Sequence, residues 1–301
     1  MPPKLVVAGV LALDDLKTPH HEEKKIVGGA GIYSSMSSNI FVETALVAAI
    51  GNDFPKEFLD LIKAKGIDTS SVSELDCPTF YWSGEYKGDM SQAITHTTDF
   101  QINEHYNWEI NSKIKETKFL LLCNNNPQIQ AKILEQMEPT TTGVDTMNLW
   151  INLERNMLDK VVSKANILFI NDAEARLYSD SKELDKAAIV LMQKGPEYVI
   201  IKKGEKGASF YSKNSIKHLP AFKVKNFVDP TGAGDSFAGA TMGYLSTVNE
   251  INEESIVTAM NYGAAVASIT VQGFGTKEIV KLTKERVEQR FEKLNGGPGR
   301  I

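Results

Sequence analysis

Short apolar runs alternate with amphipathic stretches along most of this chain, and that rhythm restricts its fold more than any other feature. Lys4–Val10, Ala45–Ile50, Phe119–Cys123, Thr142–Thr146, Ile167–Ile170, Tyr198–Lys202 and Ala208–Tyr211 read as buried strands. Gly31–Phe41, Phe54–Lys65, Gln128–Gln136, Leu158–Lys164, Ala173–Tyr178, Lys182–Lys194, Ala233–Thr247, Glu254–Val271 and Lys277–Lys293 read as helices, with Gly66 as a C-cap to the second. Alternation of this kind predicts an α/β protein with a mostly parallel sheet covered by helices on both faces. Cys77–Thr98 breaks the rhythm. Thr79–Trp82 and Ala93–Thr98 are β-branched and aromatic, separated by Gly84, Gly88 and Asp89, which predicts a hairpin.

Composition removes several function classes. At 301 residues, 42% hydrophobic and 24% charged, the chain can bury a large core. A net charge of −5 argues against nucleic acid as the main partner, because binding a phosphate backbone needs a basic footprint. No apolar run approaches the roughly 20 residues of a membrane span. The opening Met1-Pro2-Pro3-Lys4 leads into a strand without a signal-peptide core, so the expected compartment is the cytoplasm. Cys77 and Cys123 have no CxxC spacing and indicate neither a disulfide framework nor zinc. Asn295–Ile301, rich in glycine, reads as a frayed tail.

Asp229-Pro230-Thr231-Gly232-Ala233-Gly234-Asp235-Ser236-Phe237 carries the strongest chemical signal. If a helix starts here, the N–H groups of Gly232, Ala233 and Gly234 are its unpaired first-turn donors, and the helix dipole adds positive charge. That suits a phosphate. Asp235 at the lip would repel phosphate at rest. The arrangement makes sense if Asp235 takes a proton from a hydroxyl that then attacks the phosphorus. The plainer reading is a tight turn with an acidic cap.

Other motifs also sit at strand ends. Asp14 falls just past the first strand, where ligands of open α/β sheets bind, with Asp15 adjacent. Gly28-Gly29-Ala30-Gly31 opens a helix, but Ser34 stands where a dinucleotide fingerprint needs glycine. Asn124-Asn125-Asn126 lies between a strand and a helix and reads as a turn with a cap. Asn171-Asp172-Ala173-Glu174 has the spacing of a capping box. Lys202-Lys203-Gly204-Glu205-Lys206-Gly207 ends a strand and is not a Walker A loop. His20, His21, His96, His105 and His218 form no hydrolase frame and no HExxH; His20-His21 reads as exposed.

The Asp229–Phe237 string resembles the C-terminal signature of ribokinase-like, PfkB-type kinases, and further family marks follow in order along almost the whole chain. The resemblance implies a three-layer α/β fold in one domain spanning 1–301, with a small antiparallel lid from about 14–27 and 77–98. It implies Asp235 as general base and Gly232, Ala233 and Gly234 as the anion hole. Asp14, Gly28, Gly29 and Asn125 match acceptor contacts. Tyr33 stands where the ribokinase branch has a sugar-binding Asn, which points away from ribose itself toward a larger or less polar acceptor. Asp145–Trp150 lacks the Arg of a DxNxR motif, against an acidic sugar. Asn171 and Glu174 match residues that organise Mg²⁺ through water; magnesium keeps several waters and few protein oxygens. Lys202, Gly204 and Gly207 match the nucleotide loop, and Asn261, twelve residues before Gly273, an adenine contact. Asp229 and Thr231, with backbone around Val271–Gly275, match a monovalent-cation (K⁺) site.

The resulting expectation is ATP- and Mg²⁺-dependent phosphorylation of a sugar-like acceptor. A nucleoside is the first alternative, its base stacking on Tyr33, Phe80, Tyr81 or Trp82. A non-catalytic sensor on a kinase fold is the second, and the intact Asp235 and NxxE speak against it. Phe80 and Trp82 on the lid also suit a homodimer.

Overall fold

The computed structural model describes residues 3–88, 90 and 93–296. Thirteen strands occur among them: β1 Leu5–Ala8, β2 Ala12–Lys17, β3 Glu22–Gly28, β4 Thr44–Gly51, β5 Asp68–Leu75, β6 Phe80–Tyr86, β7 Ala93–Asp99, β8 Phe119–Leu122, β9 Thr141–Asp145, β10 Ile167–Asn171, β11 Tyr198–Lys202, β12 Ala208–Tyr211 and β13 Ile216–Leu219. The helices are α1 Ala30–Ser38, α2 Lys56–Ala64, α3 Ile102–His105, α4 Pro127–Leu134, α5 Asn148–Leu153, α6 Arg155–Val162, α7 Asp172–Ser179, α8 Leu184–Met192, α9 Ala233–Leu245, α10 Glu253–Thr270 and α11 Lys284–Leu294.

Nine strands form the main sheet in the order β13-β12-β11-β10-β9-β8-β1-β4-β5. Every pairing from β11 to β5 is parallel, and β12 and β13 close one edge antiparallel. Side chains alternate along each strand, so neighbouring residues feed different cores. Leu5, Val7, Leu46, Phe169 and Ile200 pack with α1, α2, α9, α10 and α11, whereas Val6, Val47, Leu168, Ile170 and Val199 pack with α4, α6, α7 and α8. Each such aliphatic chain contributes roughly 1.5–3 kcal/mol on full burial, and β4 is buried along its whole length. The product is three layers. No helix among the described residues is long and apolar enough to cross a membrane.

Four strands form the second sheet, in the order β3-β2-β6-β7. Its outer pairs are antiparallel, but its central pair, β2 with β6, is parallel, so the expected antiparallel lid is a mixed sheet. It begins at Ala12, two residues before the expected boundary. The strand at Asp68–Leu75, the strand at Ile216–Leu219 and the short helices α3 and α5 are additions to the sequence reading. The helix expected at Lys277–Lys293 is a correction: Gly275–Lys277 and Ile279–Lys281 are separate 3₁₀ turns, and α11 starts only after its Thr283 cap, whose side chain accepts the Arg286 N–H. Of the expected tail, 297–301 lies outside the described residues, as does Asp89.

Candidate active site

Parallel strands bring their carboxyl ends to one rim. α9 packs along β1, β8 and β9, and the side chain of Lys202, at the end of β11, reaches Gly234 in the first turn of α9. The loop before α9 is pinned from beneath. Asp229 is fully buried, and its carboxylate accepts the Thr231 N–H at 2.9 Å and the Gly275 N–H at 2.8 Å. Gly232 then caps α9 at φ +74°, and a Cβ there would run into the Tyr33 ring. Both conditions require glycine. Ala233 corrects the expected anion hole, because its N–H closes a turn onto the Pro230 carbonyl at 3.1 Å. Gly232 and Gly234 keep N–H groups with no acceptor among the described residues.

Asp235 occupies the first turn of α9, half-buried. Burial pushes its carboxyl up to about 6; Asp145 adds to the rise, while Lys202 and the Asp235 N–H oppose it. Lys202 Nζ donates to Asp145 Oδ2 at 2.6 Å. Burial works against the lysine charge, yet Asp145, Glu174 and Asp235 hold its pKa above the ordinary value. Asn171 and Glu174 form the full capping box: the Asn171 side chain accepts the Glu174 N–H at 2.8 Å, and Glu174 Oε2 accepts the Asn171 N–H at 2.9 Å. The second Glu174 oxygen has no protein donor among the described residues. Burial raises this carboxyl to about 7, against the pull of Lys202.

On the acceptor side, Asp14 lies on β2, paired in register with Ile26 of β3 and Trp82 of β6. It is buried, and its carboxylate lies where a side chain on Gly28 would be. Burial raises its pKa to about 8, with Asp229, Asp235 and Asp15 adding to the rise. Asp15 has a different task. Its Oδ1 accepts the Lys25 N–H at 2.8 Å across a register shift where Lys25 holds φ +52°. Gly29 caps α1, whose Tyr33 is 1% exposed. The Tyr33 hydroxyl is pushed well up by burial first, then by Asp229, Asp14 and Asp235. Among the described residues it has no hydrogen-bond partner, and neither do buried Asn125 Nδ2 and Thr146 Oγ1, nor, elsewhere, Asn103 Nδ2, Trp108 Nε1 and Gln130 Oε1. Buried polar atoms are nearly always satisfied, so the Tyr33 hydroxyl and the Asn125 amide are available to a ligand.

Of three expected nucleotide contacts, two have protein partners or structural tasks. Gly204 opens a 3₁₀ turn with free space around it, but Gly207 lies against the Leu219–Ala221 backbone and holds the sheet edge. Asn261 donates its amide to Asn295 Oδ1 at 3.1 Å, tying α10 to the end of α11. Phe80 packs against the body core and so is not free to stack, while Trp82 Nε1 donates to Thr95 Oγ1 at 3.2 Å. Tyr86 was not singled out by sequence. Burial raises its hydroxyl pKa, a hydrogen bond to Thr231 opposes the rise, and the charges of Asp229, Asp235 and Asp14 add to it. It lies five residues after Tyr81, on the other parity of the strand, and nothing in the sequence says which parity faces the body. His20 and His21 are exposed, as expected.

A family model described as pfkB family carbohydrate kinase matches residues 7–282. The chain belongs to that family. It is therefore a phosphotransferase with an alcohol acceptor. It is similar to a cytidine kinase of Thermococcus kodakarensis, 29% identical over 262 residues that cover 83% of this chain and 91% of that one. It is also similar to a ribokinase of Mus musculus, 25% identical over 270 residues, 86% of this chain and 82% of the other. Among solved structures, an E. coli protein in complex with ATP and Mg²⁺ superposes with a TM-score of 0.77 at 19% identity, covering 96% of this chain and 99% of that one. The ribokinase-like fold expected from sequence is thereby established.

Proposed function

We propose that this kinase transfers the γ-phosphoryl group of ATP to a hydroxyl of a ribosyl acceptor, with a nucleoside preferred over a free sugar. One observation carries the reading: Asp235 stands beside the uncommitted amides of Gly232 and Gly234, with Lys202 adjacent and Asp14 nearby. Asp235 takes the acceptor proton as the hydroxyl oxygen attacks in line. The two amides hold charge developing on the transferred oxygens. Asp14 and Asn125 Nδ2 orient the acceptor, and the lid excludes water. Similarity to a cytidine kinase over 91% of its length supports the nucleoside. Tyr33, buried with its ring against Gly232, is not free to stack on a base as expected and offers only its hydroxyl.

The residues at the rim fit Mg²⁺ held through water. Among the described residues no cluster of three or more acidic, His or Cys side chains forms a metal cage, and Glu174 offers one uncommitted oxygen. Bound there, Mg²⁺ would neutralise phosphate charge. A monovalent cation beside Thr231 remains an expectation: buried Asp229 has no cationic partner among the described residues, but both its oxygens already accept backbone N–H groups.

A panel of nucleosides and sugars assayed for ATP-dependent ADP release tests this reading. Turnover should be highest with a nucleoside, and Asp235→Asn should lower kcat by about 10²–10⁴-fold while the acceptor still binds. Acceptor binding without ADP release across the panel would instead favour a sensor, and near-wild-type turnover of the variant would remove Asp235 as base.

A further inference from the structure

Lys202 ends β11, but its side chain leaves the nucleotide loop and reaches past β10 to Asp145 at the end of β9. There it lies against α9. Its Nζ is 3.1 Å from where a Cβ on Gly234 would stand, so the ammonium lies close over the Gly234 Cα, next to its uncommitted N–H. Asp145 is held firmly. Its Oδ1 accepts the Thr146 N–H at 3.0 Å, and its main-chain carbonyl accepts Gln130 Nε2 at 3.1 Å. An ammonium carries three donors, and Asp145 takes one. Since the Ala233 N–H is committed to Pro230, the hole has one main-chain donor fewer than its sequence implies, and the ammonium lies next to Gly234, one residue on.

A salt bridge joining β9 to β11 would account for the pair by itself. Buried ion pairs, however, are a weak source of stability, and such a staple has no need to lie against Gly234. We infer that Lys202 is a catalytic residue that donates to the transferred phosphoryl group over Gly232 and Gly234, and that Asp145 is the positioning residue that fixes its ammonium. The inference rests on the phosphotransferase reading above. In the reaction the acceptor proton passes to Asp235, the acceptor oxygen–phosphorus bond forms and the bond to the ADP oxygen breaks. Lys202 stays protonated and offsets the charge.

Lys202→Met, Asp145→Asn and the double variant test it, using ADP release, calorimetric binding of ADP and of a non-hydrolysable ATP analogue, and thermal melting. Lys202→Met should lower kcat by about 10²-fold or more with acceptor KM within about threefold. It should also melt lower, because Asp145 is left buried and unpaired. The double variant should recover the melting temperature but not kcat, and Asp145→Asn should lose about tenfold in kcat with nucleotide still bound. Recovery of kcat in the double variant, or kcat within about threefold of wild type in Lys202→Met, overturns the inference. If the wild type releases no ADP with any acceptor, the phosphotransferase reading fails and binding decides the lysine separately. The wild type should then hold the triphosphate analogue about tenfold more tightly than ADP, and Lys202→Met should abolish that difference. A difference left intact in the variant, or absent in the wild type, rejects the role.

Discussion

Three carboxyls at the site share one physical condition, burial without enough positive charge. Asp235 is pushed up to about 6, Glu174 to about 7 and Asp14 to about 8, in each case chiefly by burial. A base must be ionised to act. With Asp145 and Lys202 facing Asp235, kcat/KM should fall about tenfold per pH unit below about pH 6, read from a pH–rate profile. Asp14 supplies a stability test. Its folded pKa lies above the unfolded value, so the stability tied to its proton is full below the unfolded pKa and lost as pH rises through about 8. Denaturant midpoints of Asp14→Asn should therefore gain on wild type from about pH 4 to pH 8 and then level off. A constant gap across that range would show that Asp14 ionises in the folded protein as it does unfolded.

At the scale of elements, Asp229 decides the geometry of the loop that feeds α9. Its two oxygens hold the Thr231 and Gly275 amides, one on each side of the α9–α10 pair. Asp229→Ala should orphan both and cost about 2–4 kcal/mol in denaturant melts, with activity lost in parallel. Gly232→Ala meets two obstacles, the positive φ and the Tyr33 ring. The φ alone costs about 1–2 kcal/mol, so adding Tyr33→Ala should restore only part of the stability. Elements with a continuous apolar run were legible in the sequence: Tyr198–Lys202 and Ala208–Tyr211 match their strands end to end. Asp68–Leu75 was not, because as an edge strand only Ser71 is buried and it carries little apolar pattern. Ile216–Leu219 has four residues, three of them exposed. The site was legible where chemistry and backbone share one segment, as in Asp229–Asp235. It was not where it depends on which face a strand presents, as with Tyr86, or on one amide finding a partner, as with Ala233.

At the scale of the whole molecule, the lid's two outer strands, β3 and β7, are each paired on one side only among the described residues, and β7 is the more exposed. Ala93–Thr97 of β7 is exposed, and Ile94 is 44% exposed among charged and polar neighbours. Open strand edges are templates for pairing. The homodimer expected from sequence should run through this edge and not through Phe80, which packs into the body. Sedimentation should give twice the 33.2 kDa chain mass, and Ile94→Lys should return the single mass with the far-UV spectrum unchanged. A single mass for the wild type at micromolar concentration would dismiss the dimer.

β1 of the body passes into β2 of the lid through Gly9, Val10 and Leu11 alone, with the Val10 carbonyl held by the Gly31 N–H. Asp14 rides on one side of that joint and Asp235 on the other. If Asp14 orients the acceptor and Asp235 deprotonates it, as proposed, both steps depend on the relative placement of two residues that this short, tightly packed connection holds in register.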